Sequence, residues 1–152
     1  MTLPKVSPES LNGGIRPYSL TDHIHEREAG HHLSSLLAPG ADRIKVAFTP
    51  SVGPWFSGII SVLSAPVSHS VTAKEIKALY QETYKNERLI KVQNDIPNLD
   101  DVQDKQGWVV GGFQVHSDGD RVVAVGGLDN LLKGAATQCL QVRFLLMHSA
   151  NV

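Results

Sequence analysis

Trp108-Val109-Val110-Gly111-Gly112-Phe113-Gln114-Val115-His116-Ser117-Asp118-Gly119-Asp120-Arg121-Val122-Val123-Ala124-Val125 sets two valine-rich runs on either side of a short polar turn. β-Branched runs suit the pleated, half-buried surface of a strand, and Asp118-Gly119 suits a type I′ turn, in which both central residues take positive φ. Closing the chain there sets Val115 opposite Val122 and Phe113 opposite Ala124, an antiparallel hairpin. Gly111-Gly112 and the following Gly126-Gly127 make no G-x-G-x-x-G unit, so they mark bulges or close packing rather than a phosphate cradle.

Working outward, the hairpin lies among helices as well as strands. Val71-Thr72-Ala73-Lys74-Glu75-Ile76 reads as a helix start: Thr72 accepts from the third helical amide, Glu75 reaches back, and Val71 and Ile76 are spaced as a staple. Ile76, Leu79, Tyr80 and Tyr84 share a face of that helix, and a strand follows around Leu89 to Val92. Asp95 to Gln106 reads as an exposed loop. Gly58 to Leu63 is rich in β-branched residues, and Ile44, Val46 and Phe48 alternate with Lys45, Ala47 and Thr49, the period of a half-buried strand. A helix is expected over Glu26 to Leu37, stopped by Ala38-Pro39-Gly40, and another from Leu131 to Leu140, capped by Asp129 or Asn130. Pro4, Pro8, Asn12, Gly13 and Gly14 make the first 15 residues a loop or linker. Intermixed elements with an antiparallel hairpin imply an α+β fold, a mostly antiparallel mixed sheet with helices on one face, in a single domain over residues 1–152.

Composition narrows the function. Fourteen basic and fifteen acidic residues are well mixed, which gives no basic stripe for phosphates and argues against nucleic acid as a partner. No apolar run approaches the roughly 20 residues that span a bilayer, and Met1 to Ser10 lacks the features of a signal peptide, so no membrane partner is expected. Cys139 is the only cysteine, which excludes an intrachain disulfide and a multi-thiolate zinc site. It falls on the apolar face of the last helix, where a small buried hydrophobe is expected rather than a nucleophile. Trp55 and Trp108 read as core or interface anchors.

Chemistry concentrates in Asp22-His23-Ile24-His25-Glu26-Arg27-Glu28. Imidazole, with an unperturbed pKa of about 6.5, exchanges protons near neutral pH. The spacing of His25-Glu26 to His31 misses the His-Glu-x-x-His zinc pattern by two positions, so no metal is expected. Acid/base work by His23 or His25 competes with a solvated or structural role for the pair.

Three motifs in order, Asp22-His23-Ile24-His25 with Glu28, Phe48-Thr49-Pro50 with Gly58-Ile59, and Leu128-Asp129-Asn130-Leu131-Leu132-Lys133-Gly134-Ala135-Ala136, resemble N-acetyl-gamma-glutamyl-phosphate reductase, a semialdehyde dehydrogenase of arginine biosynthesis. The first is closer to the fungal form than to the bacterial Gly-His-Arg-His. The resemblance covers roughly Ile15 to Gln141 and implies the C-terminal α+β domain of a two-domain enzyme. In that family a Rossmann domain binds NADPH and a cysteine attacks the acyl phosphate. Phosphate leaves, and hydride reduces the thioester to the semialdehyde. The resemblance makes His23 the first choice of base, His25 its partner or a substrate contact, Glu28 a substrate-binding residue, and Asn130 a cofactor contact or a plain helix cap.

Several departures shape the expectation. No Rossmann unit and no cysteine precede His23, so the chain alone is expected to be inactive and to bind no NADPH. The partners expected are the missing Rossmann domain, a small-molecule substrate, and a second copy through the sheet. Ser51 and Ser57 stand where the family commonly has His and Arg, which puts anion contacts from that loop in doubt, and residues 142–152 form a tail unlike the family's. The fungal-type match implies the mitochondrial matrix, although no targeting segment is read in the chain. The competing expectation is a non-catalytic binding or scaffold domain that reuses this fold.

Overall fold

The structure, a computed structural model, describes residues 7–149; the first six residues of the linker and the last three of the tail lie outside them. The chain forms two compact units, Met1–Phe56 and Ser57–Val152.

The first unit has little regular structure. A 3₁₀ turn, Pro8–Leu11, lies within the linker and is capped by Ser7. Strand β1, Arg16–Pro17, pairs antiparallel with β2, Ser51–Val52, and helix α1 spans Ile24–Ser34 between them. The helix begins two residues earlier than its apolar spacing suggests, because His23 caps it. The strand expected over Ile44 to Phe48 does not form. Alternation supplies a face, but a strand also needs a neighbour for its backbone, and the Ile44 amide instead donates to Ser34 Oγ at 2.9 Å.

The second unit holds a four-stranded sheet in the order β3-β6-β5-β4, with β3 at Ile59–Pro66, β4 at Ile90–Val92, β5 at Trp108–Val115 and β6 at Arg121–Leu128. Its ladders are antiparallel except β4 with β5. Helix α2, Ala73–Thr83, starts at the capping box read from the sequence, with both reciprocal bonds present. It covers one face, where Ala73, Ile76 and Tyr80 pack against Val110, Phe113 and Ala124. Leu79, expected on that face, is exposed.

The supposed loop from Asp95 to Gln106 contains a helical turn, α3, at Leu99–Val102, begun by a capping box between Asn98 and Asp101. It buries Val102 completely. A Cβ on Gly127 would stand 3.1 Å from Val102 Cγ1. Gly127 is three residues on from Ala124 and therefore points to the face opposite α2. The short box uses aspartate where a glutamate is usual, and burial decided it.

Val115 and Val122 pair as expected, but Phe113 and Ala124 do not pair one to one. The register shifts between Gly111, opposite Val125, and Gln114, opposite Val123, so that Gly112 and Phe113 together face Ala124. Gly112 takes φ +64°, which makes the bulge inexpensive. The hairpin turn also differs from type I′, since Gly119 has positive φ and Asp118 does not; the Gly119 amide closes it onto the His116 carbonyl at 2.8 Å.

After β6 the chain makes a π-helical turn, Leu132–Ala136, and continues into α4, Thr137–Ser149. Cys139 is exposed there rather than buried.

Candidate functional site

The histidine segment is organised by its own helix start. Asp22 takes φ +61°, a left-handed turn that aspartate tolerates, and His23 follows with extended backbone as the cap. His23 Nδ1 accepts the backbone N–H of His25 at 3.2 Å, the role a serine or aspartate oxygen ordinarily fills. Accepting through Nδ1 means that a neutral His23 carries its proton on Nε2. His25 is arranged the other way. Its Nδ1 lies 2.6 Å from Glu28 Oε2, one helical turn on, so Nδ1–H donates to the carboxylate and the Nε2 lone pair is left open. The two rings have centroids 4.8 Å apart, with Phe48 at 5.3 Å from His23 and 6.2 Å from His25, and Tyr18 edge-on to His23 at 5.8 Å. His25 and Glu28 are more than half exposed. The site is thus an open imidazole–carboxylate pair backed by aromatic rings. In the sequence Phe48 stands out only as part of a motif, and Tyr18 not at all, because ring proximity depends on how the loops close.

In the second unit Asp129, 2% exposed, gathers four donors. Its Oδ1 accepts the amides of Leu131 at 2.9 Å and Leu132 at 2.8 Å, and its Oδ2 accepts Ser57 Oγ and the Asp104 amide, both at 2.9 Å. The Leu132 amide, then the Asp104 amide, hold the carboxyl below the usual aspartate value. Asp129, not Asn130, therefore caps the following helix. Asn130 is used otherwise: its Oδ1 accepts the Gly58 amide at 2.8 Å, and only its Nδ2 is left to donate elsewhere. Ser57 turns its hydroxyl to Asp129, while Gln103 Nε2 donates to the Ser57 carbonyl at 2.7 Å. Among the described residues no group of three or more His, Cys, Asp or Glu is placed to hold a metal, and no helix is long and apolar enough to cross a membrane.

Residues 3–130 match the family described as semialdehyde dehydrogenase, dimerisation domain. The chain belongs to that family. Among relatives of this dimerisation domain, the mitochondrial protein ARG5,6 of Candida albicans is 46% identical over 139 residues, 91% of this chain and 15% of that protein. N-acetyl-gamma-glutamyl-phosphate reductase of Xanthomonas axonopodis pv. citri is 37% identical over 137 residues, 90% of this chain and 40% of that enzyme. The domain thus spans well under half the length of these relatives. Aspartate semialdehyde dehydrogenase from Francisella tularensis superposes with a TM-score of 0.69 at 17% identity, over 91% of this chain and 40% of that one, and shares the fold. The α+β fold and the family resemblance read from the sequence both hold.

Proposed function

We propose that this domain serves the reduction of N-acetyl-gamma-glutamyl phosphate to its semialdehyde, with His25 as the proton-transfer group and Glu28 as the residue that positions it. The 2.6 Å contact between His25 Nδ1 and Glu28 Oε2 carries the assignment of roles. A base needs an unprotonated nitrogen facing its substrate, and a carboxylate on Nδ1 presents Nε2 in that form. His23, the first choice from the resemblance, spends its Nδ1 lone pair on the helix start. Its Nε2–H is then a donor, suited to an acyl or phosphate oxygen. Glu28 becomes a positioning residue rather than a substrate contact.

The reaction begins when a cysteine thiolate displaces phosphate from the acyl group, and it ends when a thiohemiacetal releases aldehyde and thiol. His25 Nε2 would take the thiol proton at the first stage, give it to the thioester carbonyl oxygen as hydride adds to the carbon, and take it back from the hydroxyl as the C–S bond breaks and the thiolate leaves. NADPH would supply that hydride. The described residues do not fit a dinucleotide: the single parallel pair, β4 with β5, has no glycine-rich loop entering a helix, and Asn130 offers one amide donor. The cofactor and the nucleophile would therefore belong to another part of the enzyme. Assembly as a homo-oligomer follows from the family's description as a dimerisation domain. The names of fungal relatives, which place those proteins in mitochondria, support a mitochondrial location.

Combining the chain with the nucleotide-binding part of a fungal reductase tests this reading, with NADPH oxidation followed in the presence of N-acetyl-gamma-glutamyl phosphate. The combination should be active and the chain alone should not. His25→Ala should lower kcat about a hundredfold or more, the usual worth of a positioned acid/base group. Glu28→Gln should lower kcat less and move the pH profile. Activity indifferent to His25→Ala would refute the assignment, and a chain that binds the partner without any gain in activity would favour the scaffold reading.

A further inference from the structure

We infer that Phe48 is a positioning residue for the proton-transfer site, holding the His23 and His25 rings so that both Nε2 atoms address one substrate. The inference rests on the roles proposed above for the two histidines and adds the residue that makes them act together. All the residues concerned lie within the first unit.

Among the described residues each imidazole has one hydrogen bond through its ring. His23 is tied through Nδ1 to the His25 amide at 3.2 Å, and His25 through Nδ1 to Glu28 Oε2 at 2.6 Å. The χ2 torsion of histidine is broad, so a ring held by one such bond can still tilt and carry its far nitrogen with it. Nε2 is that far nitrogen in both rings, and it is the atom on which the chemistry depends. A second contact is needed to fix each ring, and Phe48 supplies it for both. Its centroid is 5.3 Å from that of His23 at an interplanar angle of 43°, and 6.2 Å from that of His25 at 79°, an edge-on arrangement that aromatic pairs favour. With His23 and His25 themselves 4.8 Å apart, the three rings close a triangle in which a turn of either imidazole meets another ring.

Backbone pairing delivers Phe48 to this place. Arg16 pairs with Val52 and Pro17 with Ser51, and the Tyr18 amide extends the pairing by donating to the Pro50 carbonyl at 2.9 Å. Tyr18 follows β1 directly and meets His23 edge-on at 5.8 Å, while Phe48, just ahead of β2 and half-buried, bridges His23 and His25. The short ladder thus carries to the start of α1 a contact that the helix cannot make for itself. A phenyl ring brings neither a proton nor a charge to the site, so its effect on the reaction passes through the orientation of the imidazoles.

Two readouts test this. In the 152-residue chain alone, NMR with labelled histidine should show Nε2–H on His23, Nδ1–H on His25, and nuclear Overhauser contacts from Phe48 to both rings. Phe48→Ala should weaken the contact between the two imidazoles and leave the circular dichroism unchanged. In the recombined enzyme described above, Phe48→Ala should lower kcat about tenfold or more, the cost of misaligned groups, with KM for NADPH unchanged. Phe48→Tyr, which keeps the ring, should stay within about threefold of the wild type. Because a positioning residue acts through others, Phe48→Ala combined with His25→Ala should lose far less than the product of the two single losses. A wild-type chain without the Phe48 contacts would overturn the inference. So would full activity of Phe48→Ala in an enzyme that His25→Ala disables, and the histidine roles would then stand. Losses that multiply in the double variant would show a merely structural ring and overturn it as well. A recombined enzyme that assembles without activity, or is indifferent to His25→Ala, would overturn both readings.

Discussion

Every buried residue among those described lies between Ser57 and Asp129, whereas residues 7–56, which carry both candidate catalytic histidines, include none. The second unit is held by a core and by long-range hydrogen bonds. The first is held by helix caps, a two-residue strand pair and bonds such as Ser34 to Ile44. The candidate catalytic residues thus sit in the unit without buried side chains, where local opening is expected to cost least. The same contrast explains why the histidine pair is arranged by its own turn of helix and not by burial.

The sharpest way to break the contrast is to strike the second unit where backbone meets backbone. A Cβ at Gly111 would stand 2.4 Å from the Asp95 carbonyl oxygen, so neither partner can give way cheaply. Gly111→Ala should cost about 3 kcal/mol in urea unfolding followed by circular dichroism. A loss no greater than that of a surface substitution would show that the core is looser than its packing suggests.

Acid should separate the units next. The Asp129 carboxyl titrates below its ordinary value of 3.8, so between the two values the unfolded chain binds the extra proton and stability falls as pH falls. The contribution is full above pH 4 or so and is lost as pH drops through the lowered value. Asp129→Asn should remove it at neutral pH, because an amide has one acceptor oxygen where the carboxylate uses two. The acid limb of a thermal-midpoint profile should flatten in that variant. An unchanged limb would show that other carboxylates dominate, with Asp101 and Glu75, also lowered by bonds to their helix starts, as the next to test.

The smallest effect gives the finest comparison, since each unit has an 11-residue helix begun by a side-chain cap. Thr72→Ala should cost about 1 kcal/mol of global stability, because α2 packs on the core. His23→Ala removes the corresponding bond from α1, yet it should leave the global value within about 0.5 kcal/mol. Faster amide exchange over Ile24 to Glu28 alone would accompany it. Equal global losses from the two caps would mean that the units unfold as one.

The legible parts of the fold are those whose partners lie close in sequence. Thr72 and Glu75 are three residues apart, and their box is present; Val115 and Val122 close over a short turn and pair as read. His23, His25 and Glu28 are also legible as a group, but their roles are not, because the choice of ring nitrogen depends on which atom each partner reaches. Where a second signal is required, local pattern misleads. The alternation of Ile44, Val46 and Phe48 is real but has no neighbouring strand, and Asp95 to Gln106 reads as polar although the structure buries Val102 within it.

From sequence alone came the α+β class, the start of α2, the hairpin pairing of Val115 with Val122 and the histidine segment as the candidate site, all set by side chains acting within a few residues of themselves. Tertiary structure alone decided the bulge opposite Ala124, the turn of helix at Leu99–Val102 and the use of Asp129. The Asp129 carboxylate joins Ser57, 72 residues away, to Asp104, 25 residues away. No local pattern marks such a bond, because the need for it arises only when burial removes water from a charged group and the nearest donors come from distant parts of the chain.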